Sequence, residues 1–107
     1  MISIKKLLYK MLSRMNSNGF ASTVNLASYT SSNYTFPSDG YVVASCGSAS
    51  NSKAVVRIYD RTANMNFTIG GWGNGTYMAH AMFVKKGMQA RVVTLENNGS
   101  AYFCPLV

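Results

Sequence analysis

Acidic residues are almost missing from this 107-residue chain, which has only Asp39, Asp60 and Glu96. Hydrolysis by paired carboxylates needs two acids in one cleft. Asp39 lies in a Pro-Ser-Asp-Gly turn and Glu96 beside another turn, where a solvated structural role is expected. Histidine is scarcer, with His80 alone. Between Ala79 and Ala81 in a strand-like run, it reads as a packed or interface residue rather than a base. No nucleophile motif surrounds any of the serines. The two cysteines, Cys46 and Cys104, form no CxxC pair, so a structural zinc site lacks ligands. The glycines of 70–75 do not spell GxGxxG and no GK[ST] follows them, which argues against a phosphate cradle. Neither a catalytic group, a metal nor a cofactor is therefore expected. No stretch reaches the apolar length of a membrane-spanning helix. The N-terminal apolar residues are interrupted by Lys10 and Arg14, unlike a signal peptide. With no mark of secretion, both cysteines are expected as reduced, buried thiols, with a disulfide between them as the alternative.

Charge is sparse in total, at 12% of residues, but strongly positive at +7. Lys5, Lys6, Lys10 and Arg14 put +4 on the first nineteen residues, which leaves +3 on the remainder. Such a balance does not demand nucleic acid as a partner. The chain is too apolar and aromatic for disorder, and too poor in Glu and Lys for a helical domain. Plentiful Ser, Asn, Gly and Tyr fit extracellular exposure or burial in an oligomer. One domain is what this length supports.

Residues 2–16 read as the one convincing helix. Met1, Ile4, Leu8, Met11 and Met15 recur at alternating spacings of four and three, a heptad seam that Leu7 and Leu12 widen. A helix this short is marginal alone in water, so its stripe needs a partner. Self-association is the favoured one. Packing on its own domain, or a basic membrane-surface helix with Tyr9 at the interface, are the alternatives. Asn16 to Gly19 then makes a hinge. The expected division is 1–19, helix and hinge, and 20–107, a β domain.

Beyond the hinge the chain alternates short β-type runs with turn residues. Val24 and Leu26 suit a short edge strand. Phe36-Pro37-Ser38-Asp39-Gly40 is a turn, since Pro37 fixes φ and Asp39-Gly40 supplies the corner. Tyr41–Cys46 places Val42, Ala44 and Cys46 on one face. Ala54–Tyr59 turns Val56 and Ile58 inward and Arg57 and Tyr59 outward. A strand at 66–69 is followed by a Gly-rich loop, 70–75. Thr76–Val84, Met88–Leu95 and Ser100–Val107, joined by Lys85–Gly87 and Glu96–Gly99, read as an antiparallel meander. Six or seven strands at this spacing predict an all-β fold, an antiparallel β-sandwich or jelly roll, preceded by a short coiled-coil helix.

Three segments carry a resemblance: Asp39-Gly40-Tyr41-Val42-Val43, Phe83 to Val92 around Lys85-Lys86-Gly87, and Ala101-Tyr102-Phe103-Cys104-Pro105-Leu106. They resemble the receptor-binding heads of phage or prophage tail fibres, which are similar to the trimeric jelly rolls of the tumour-necrosis-factor and complement type. Over residues 34–107 the resemblance implies a homotrimer, an N-terminal stalk, a terminal strand near the trimer axis and recognition of a ligand by the head. It implies no catalytic residue.

Binding is the chemistry that remains. Trp72, the single tryptophan, stands among glycines, where a flat aromatic face can meet a sugar ring. Asn74, Tyr77, Tyr59 and Arg61 supply the amide, aromatic and guanidinium groups that surround such sites. The competing expectation is that Trp72 caps the core or a subunit contact. Loops rich in Tyr, Ser, Gly and Asn also resemble adaptable protein-binding surfaces. The expected function is non-enzymatic: a virion head on a tail fibre or baseplate, beside other tail proteins, that binds a bacterial surface glycan or polymer. A purely structural fibre protein and a basic membrane-surface protein are the alternatives.

Overall fold

The computed structural model describes residues 3–6 and 23–106. Residues 4–6 make a helical turn whose Lys6 N–H donates to Ser3 Oγ at 3.2 Å, an N-terminal cap. Ile4 of the expected seam is 78% exposed; Met1, Leu8, Met11 and Met15 lie outside the described residues.

Eight strands follow: β1 (Val24–Asn25), β2 (Tyr34–Thr35), β3 (Gly40–Cys46), β4 (Ser52–Asp60), β5 (Met65–Gly73), β6 (Met78–Val84), β7 (Gln89–Glu96) and β8 (Ser100–Pro105). They build two antiparallel four-stranded sheets, in the orders β1-β8-β3-β6 and β2-β7-β4-β5. The sheets pack face to face on one core, an all-β sandwich. Period-two alternation decides what is inside. Val42 and Ala44 from the first sheet meet Val56, Ile58 and Val92 from the second. Phe36 and Phe103 are fully buried with ring centroids 4.8 Å apart, and Tyr34 packs against both. Burial, and then the neighbouring Tyr29, push the Tyr34 hydroxyl pKa up.

The expected meander is corrected. β6 pairs with β3, β7 with β2 and β4, and β8 with β1 and β3, so consecutive strands alternate between sheets. Of the seven connections, β4–β5 alone stays within a sheet. The physical reason is length. Stacked sheets lie about 10 Å apart, which three extended residues span. A turn such as Asn97–Gly99 can therefore cross the sandwich as readily as close a hairpin. Asn97, at φ 54°, and Gly87, at φ 92°, take the left-handed conformation that such corners need.

The expected loop at 70–75 is corrected as well. Gly70, Gly71, Trp72 and Gly73 continue β5, opposite Val55, Ala54, Lys53 and Ser52. Glycine is depleted in strands unless another chain segment comes close, and here it does. A Cβ on Gly73 would lie 2.7 Å from the Thr76 carbonyl oxygen and 2.8 Å from Ser52 Oγ. One on Gly71 would lie 3.3 Å from Cys46 Sγ on the opposite sheet. Side chains are missing where the two sheets pinch together.

Two ends result. One carries loops 47–51, 74–77 and 97–99, tied by Asn98 Nδ2 donating to the Gly47 carbonyl at 3.1 Å. The other carries corners 36–39, 61–64 and 85–88. There Asp39 accepts the Lys86 N–H on Oδ1 at 2.9 Å and the Leu106 N–H on its carbonyl at 3.0 Å. The Asp-Gly turn thus fastens two other segments.

Candidate ligand-binding surfaces

The five residues singled out in the sequence do not converge on one site. Tyr59 lies on β4 opposite Asn66, and Arg61 lies in the β4–β5 turn. Trp72, six residues along β5 from Asn66, is about 20 Å from that end at the rise of an extended strand. Asn74 and Tyr77 belong to the β5–β6 loop beyond it. Trp72, Asn74 and Tyr77 therefore share one end, while Tyr59 and Arg61 share the other.

At the Tyr77 end a depression of about 540 Å³ is lined by Ser45, Gly47, Ser48, Tyr77, Met78 and Asn98, among others. Tyr77 is 83% exposed, yet its ring lies directly on Gly47, where a Cβ would fall against the ring carbons. Ser45 and Ser100 hydroxyls share a hydrogen bond of 2.6 Å nearby. One open aromatic face, hydroxyls and the Asn98 amide are groups that hold a small polar ligand by stacking and hydrogen bonds. At the opposite end, Asp60, Arg61, Lys85, Lys86 and Met88 border a smaller cleft of about 300 Å³. Asp60 Oδ1 is occupied there by the Thr62 and Ala63 N–H groups, at 3.0 and 3.3 Å.

The two outer sheet faces differ in chemistry. On β1-β8-β3-β6, the outward positions are Tyr41, Val43 and Ser45; Ala79, Ala81 and Phe83; Ser100, Tyr102 and Cys104; and Asn25. None is charged. Tyr41 and Phe83 meet edge to face at 5.5 Å, and Tyr41, Phe83 and Tyr102 are all exposed. His80 is exposed on the edge strand β6. On β2-β7-β4-β5, the outward positions include Lys53, Arg57, Tyr59, Asn66, Thr68, Trp72 and Arg91. Trp72 is 53% exposed, and its ring reaches back along its own strand over Gly70. It caps neither the core nor a loop.

Both cysteines are free and buried. Cys104 pairs with Tyr41, five residues from Cys46 along β3, so the thiols stand about 17 Å apart. That exceeds the reach of a disulfide. Burial pushes the Cys104 thiol pKa up, away from the reactive thiolate. Among the described residues no His, Cys, Asp and Glu side chains group as metal ligands.

Sequence reasoning passed over Arg91 and the Tyr41–Phe83 pair. Alternation in β4 put Arg57 outward, but its partner across the ladder, Arg91, is thirty-four residues away in the sequence. Comparison with known proteins gives no matching family model, no matching curated protein and no matching solved structure.

Proposed function

We propose that this chain is a non-enzymatic receptor-binding head of a phage or prophage tail fibre, a jelly roll that assembles as a homotrimer and attaches to a bacterial surface glycan or polymer. The strand orders β1-β8-β3-β6 and β2-β7-β4-β5 support the jelly roll, because eight antiparallel strands laid down as two Greek keys give two four-stranded sheets. The observation that carries the trimer is the uncharged outer face of β1-β8-β3-β6. A sheet face with exposed Tyr41, Phe83 and Tyr102, and small residues between them, is what a subunit contact buries. The other outer face keeps its charges for solvent and ligand. Ahead of the head, the Met1, Leu8 and Met15 register supplies the stalk. Tyr77 and Asn74 in the β5–β6 loop, with Trp72 on the stretch of β5 that leads into it, supply the contact to a sugar.

Light scattering on the whole protein at micromolar concentration tests assembly. The expected mass is three times the 11.6 kDa chain, and Val43→Arg, at the middle of the uncharged face, should give monomers. A monomeric wild type would overturn the proposal. Adsorption of the labelled trimer to host cells tests recognition, and Tyr77→Ala should abolish it while the mass stays trimeric. A trimer that adsorbs to no cell surface would leave a purely structural fibre protein.

A further inference from the structure

The outer face of β2-β7-β4-β5 contains an electrostatic conflict. Arg57 and Arg91 are direct partners across the β4–β7 ladder. Side chains so placed have Cβ atoms about 5 Å apart, and like charges there repel. Among the described residues, neither guanidinium meets a carboxylate. The outward positions around the pair are Tyr59, Asn66, Thr68, Gln89, Val55 and Thr94, all neutral. Glu96 is the one acid on this face among the described residues, and it lies 3.8 Å from Lys53 Nζ. Arg91 is also held in place. Arg91 Nε donates to Asn33 Oδ1 at 3.2 Å, Asn33 Nδ2 reaches Gln89 Oε1 at 3.5 Å, and Gln89 Nε2 donates to Thr35 Oγ1 at 3.0 Å.

We infer that Arg57 and Arg91 form a clamp for the anionic group of a charged saccharide polymer, with Trp72 farther along the same face for a neighbouring sugar ring. Two adjacent guanidiniums offer planar pairs of N–H donors that match phosphate, sulfate or carboxylate oxygens, and a bound anion removes their mutual repulsion. Trp72 pairs with Lys53, four residues from Arg57 along β4, and its indole extends over Gly70 toward the arginine row. Thr68 stands level with the pair, and Asn66 with the amides of Asn33 and Gln89 lies beside it on the side away from Trp72, donors and acceptors suited to hydroxyl groups. Single-stranded nucleic acid needs a succession of stacking aromatics. Here Trp72 and Tyr59 stand about 20 Å apart on the strand scale, so a saccharide fits better. The inference deepens the receptor-head proposal by naming the ligand's charge. A trimer that ignores polyanions would sink the inference and leave that proposal standing.

Trp72 is the sole tryptophan, so its fluorescence reports on this face. The whole protein is titrated with heparin oligosaccharide, a probe carrying sulfate and carboxylate groups, and with neutral dextran at equal mass. Heparin should change the emission and dextran should not. Arg57→Gln and Arg91→Gln should each weaken heparin binding roughly tenfold, the scale of one charge-assisted contact. Because it relieves repulsion and gives up no hydrogen bond, Arg57→Gln should melt at or above the wild-type temperature, whereas Arg91→Gln also loses its contact with Asn33. The double variant Lys85→Gln/Lys86→Gln removes more charge elsewhere and should bind as wild type. Trp72→Ala, followed by retention on heparin resin, should elute at lower salt than wild type. Equal weakening by the lysine variants would mean that net charge alone attracts the polymer and would overturn the clamp. So would unchanged binding in the arginine variants, or tighter binding of single-stranded DNA than of heparin through the same arginines.

Discussion

Gly40→Ala is the substitution for which the structure gives the clearest magnitude. A Cβ there would stand 2.5 Å from the Cys104 carbonyl oxygen, 2.6 Å from the Phe103 ring and 2.9 Å from Pro105 Cα. Comfortable contacts lie about 1 Å farther out, and two of the three neighbours are backbone of a strand paired on both sides. Relief means moving β8, and with it Phe103 in its contact with Phe36. Overpacking of a fixed site costs about 1–3 kcal/mol, and this overlap belongs at the upper end. At about 4–8 °C per kcal/mol for a domain of this size, the melting temperature should fall by ~12 °C or more. Gly71→Ala is the matched control. Its Cβ would meet Cys46 Sγ at 3.3 Å, which needs a shift of a few tenths of an ångström. The loss of unfolded-chain entropy contributes about 0.4–1 kcal/mol in the other direction. Its net change should stay within about 1 kcal/mol. Thermal unfolding followed by circular dichroism reads both variants. If Gly40→Ala melts within about 4 °C of wild type, or below Gly71→Ala in damage done, the close approach of β3 and β8 has been misread.

Two further outcomes follow from the corners and the thiols. Asp39→Ala removes the acceptor of the Lys86 N–H and should cost about 1–2 kcal/mol, while Asp39→Asn, which keeps an oxygen, should cost less; amide exchange at Lys86 separates them. The raised Cys104 pKa means that the folded state holds this proton more tightly than the unfolded chain does. Its stabilising contribution is complete below the ordinary thiol value of about 8.5 and is lost as pH rises through the folded value. Melting temperatures between pH 7 and 10 should therefore fall less steeply for Cys104→Ala than for wild type. Parallel slopes would refute the buried, protonated thiol. Tyr34 adds the same sign only above about pH 10, where its phenol ordinarily titrates.

How much of this was legible in the sequence depended on whether the signal was local. Alternation in Tyr41–Cys46 and Ala54–Tyr59 sorted buried from exposed side chains correctly, because a half-buried strand imposes period two on its own residues. The edge strand at Val24 and the corner at Asp39-Gly40 were equally local. Pairing was not. Nothing in Lys85–Gly87 says whether the chain returns beside β6 or crosses to the other sheet. The glycines of β5 misled for a related reason. They look like loop residues until one sees Cys46, Ser52 and Thr76 occupying their side-chain space. The candidate site suffered most. Tyr59 and Trp72 carry suitable groups, but strand rise alone holds them apart, and Arg57 and Arg91 become neighbours through register.

The alternating connections also govern how the molecule can come into being. Only β4 and β5 have partners adjacent in sequence; every other strand waits for one made much earlier or much later. β8, the latest strand in the chain order, is an interior member of its sheet, inserted between β1 and β3. Emerging from the ribosome, β1 would stay unpaired, and β3 would have β6 alone beside it, until residues 100–105 arrive. Folding of such high contact order runs on the millisecond-to-second scale, and exposed strand edges accumulate meanwhile. A ribosome stalled a few codons short of β8 would carry a chain with two open edges instead of a nearly finished domain.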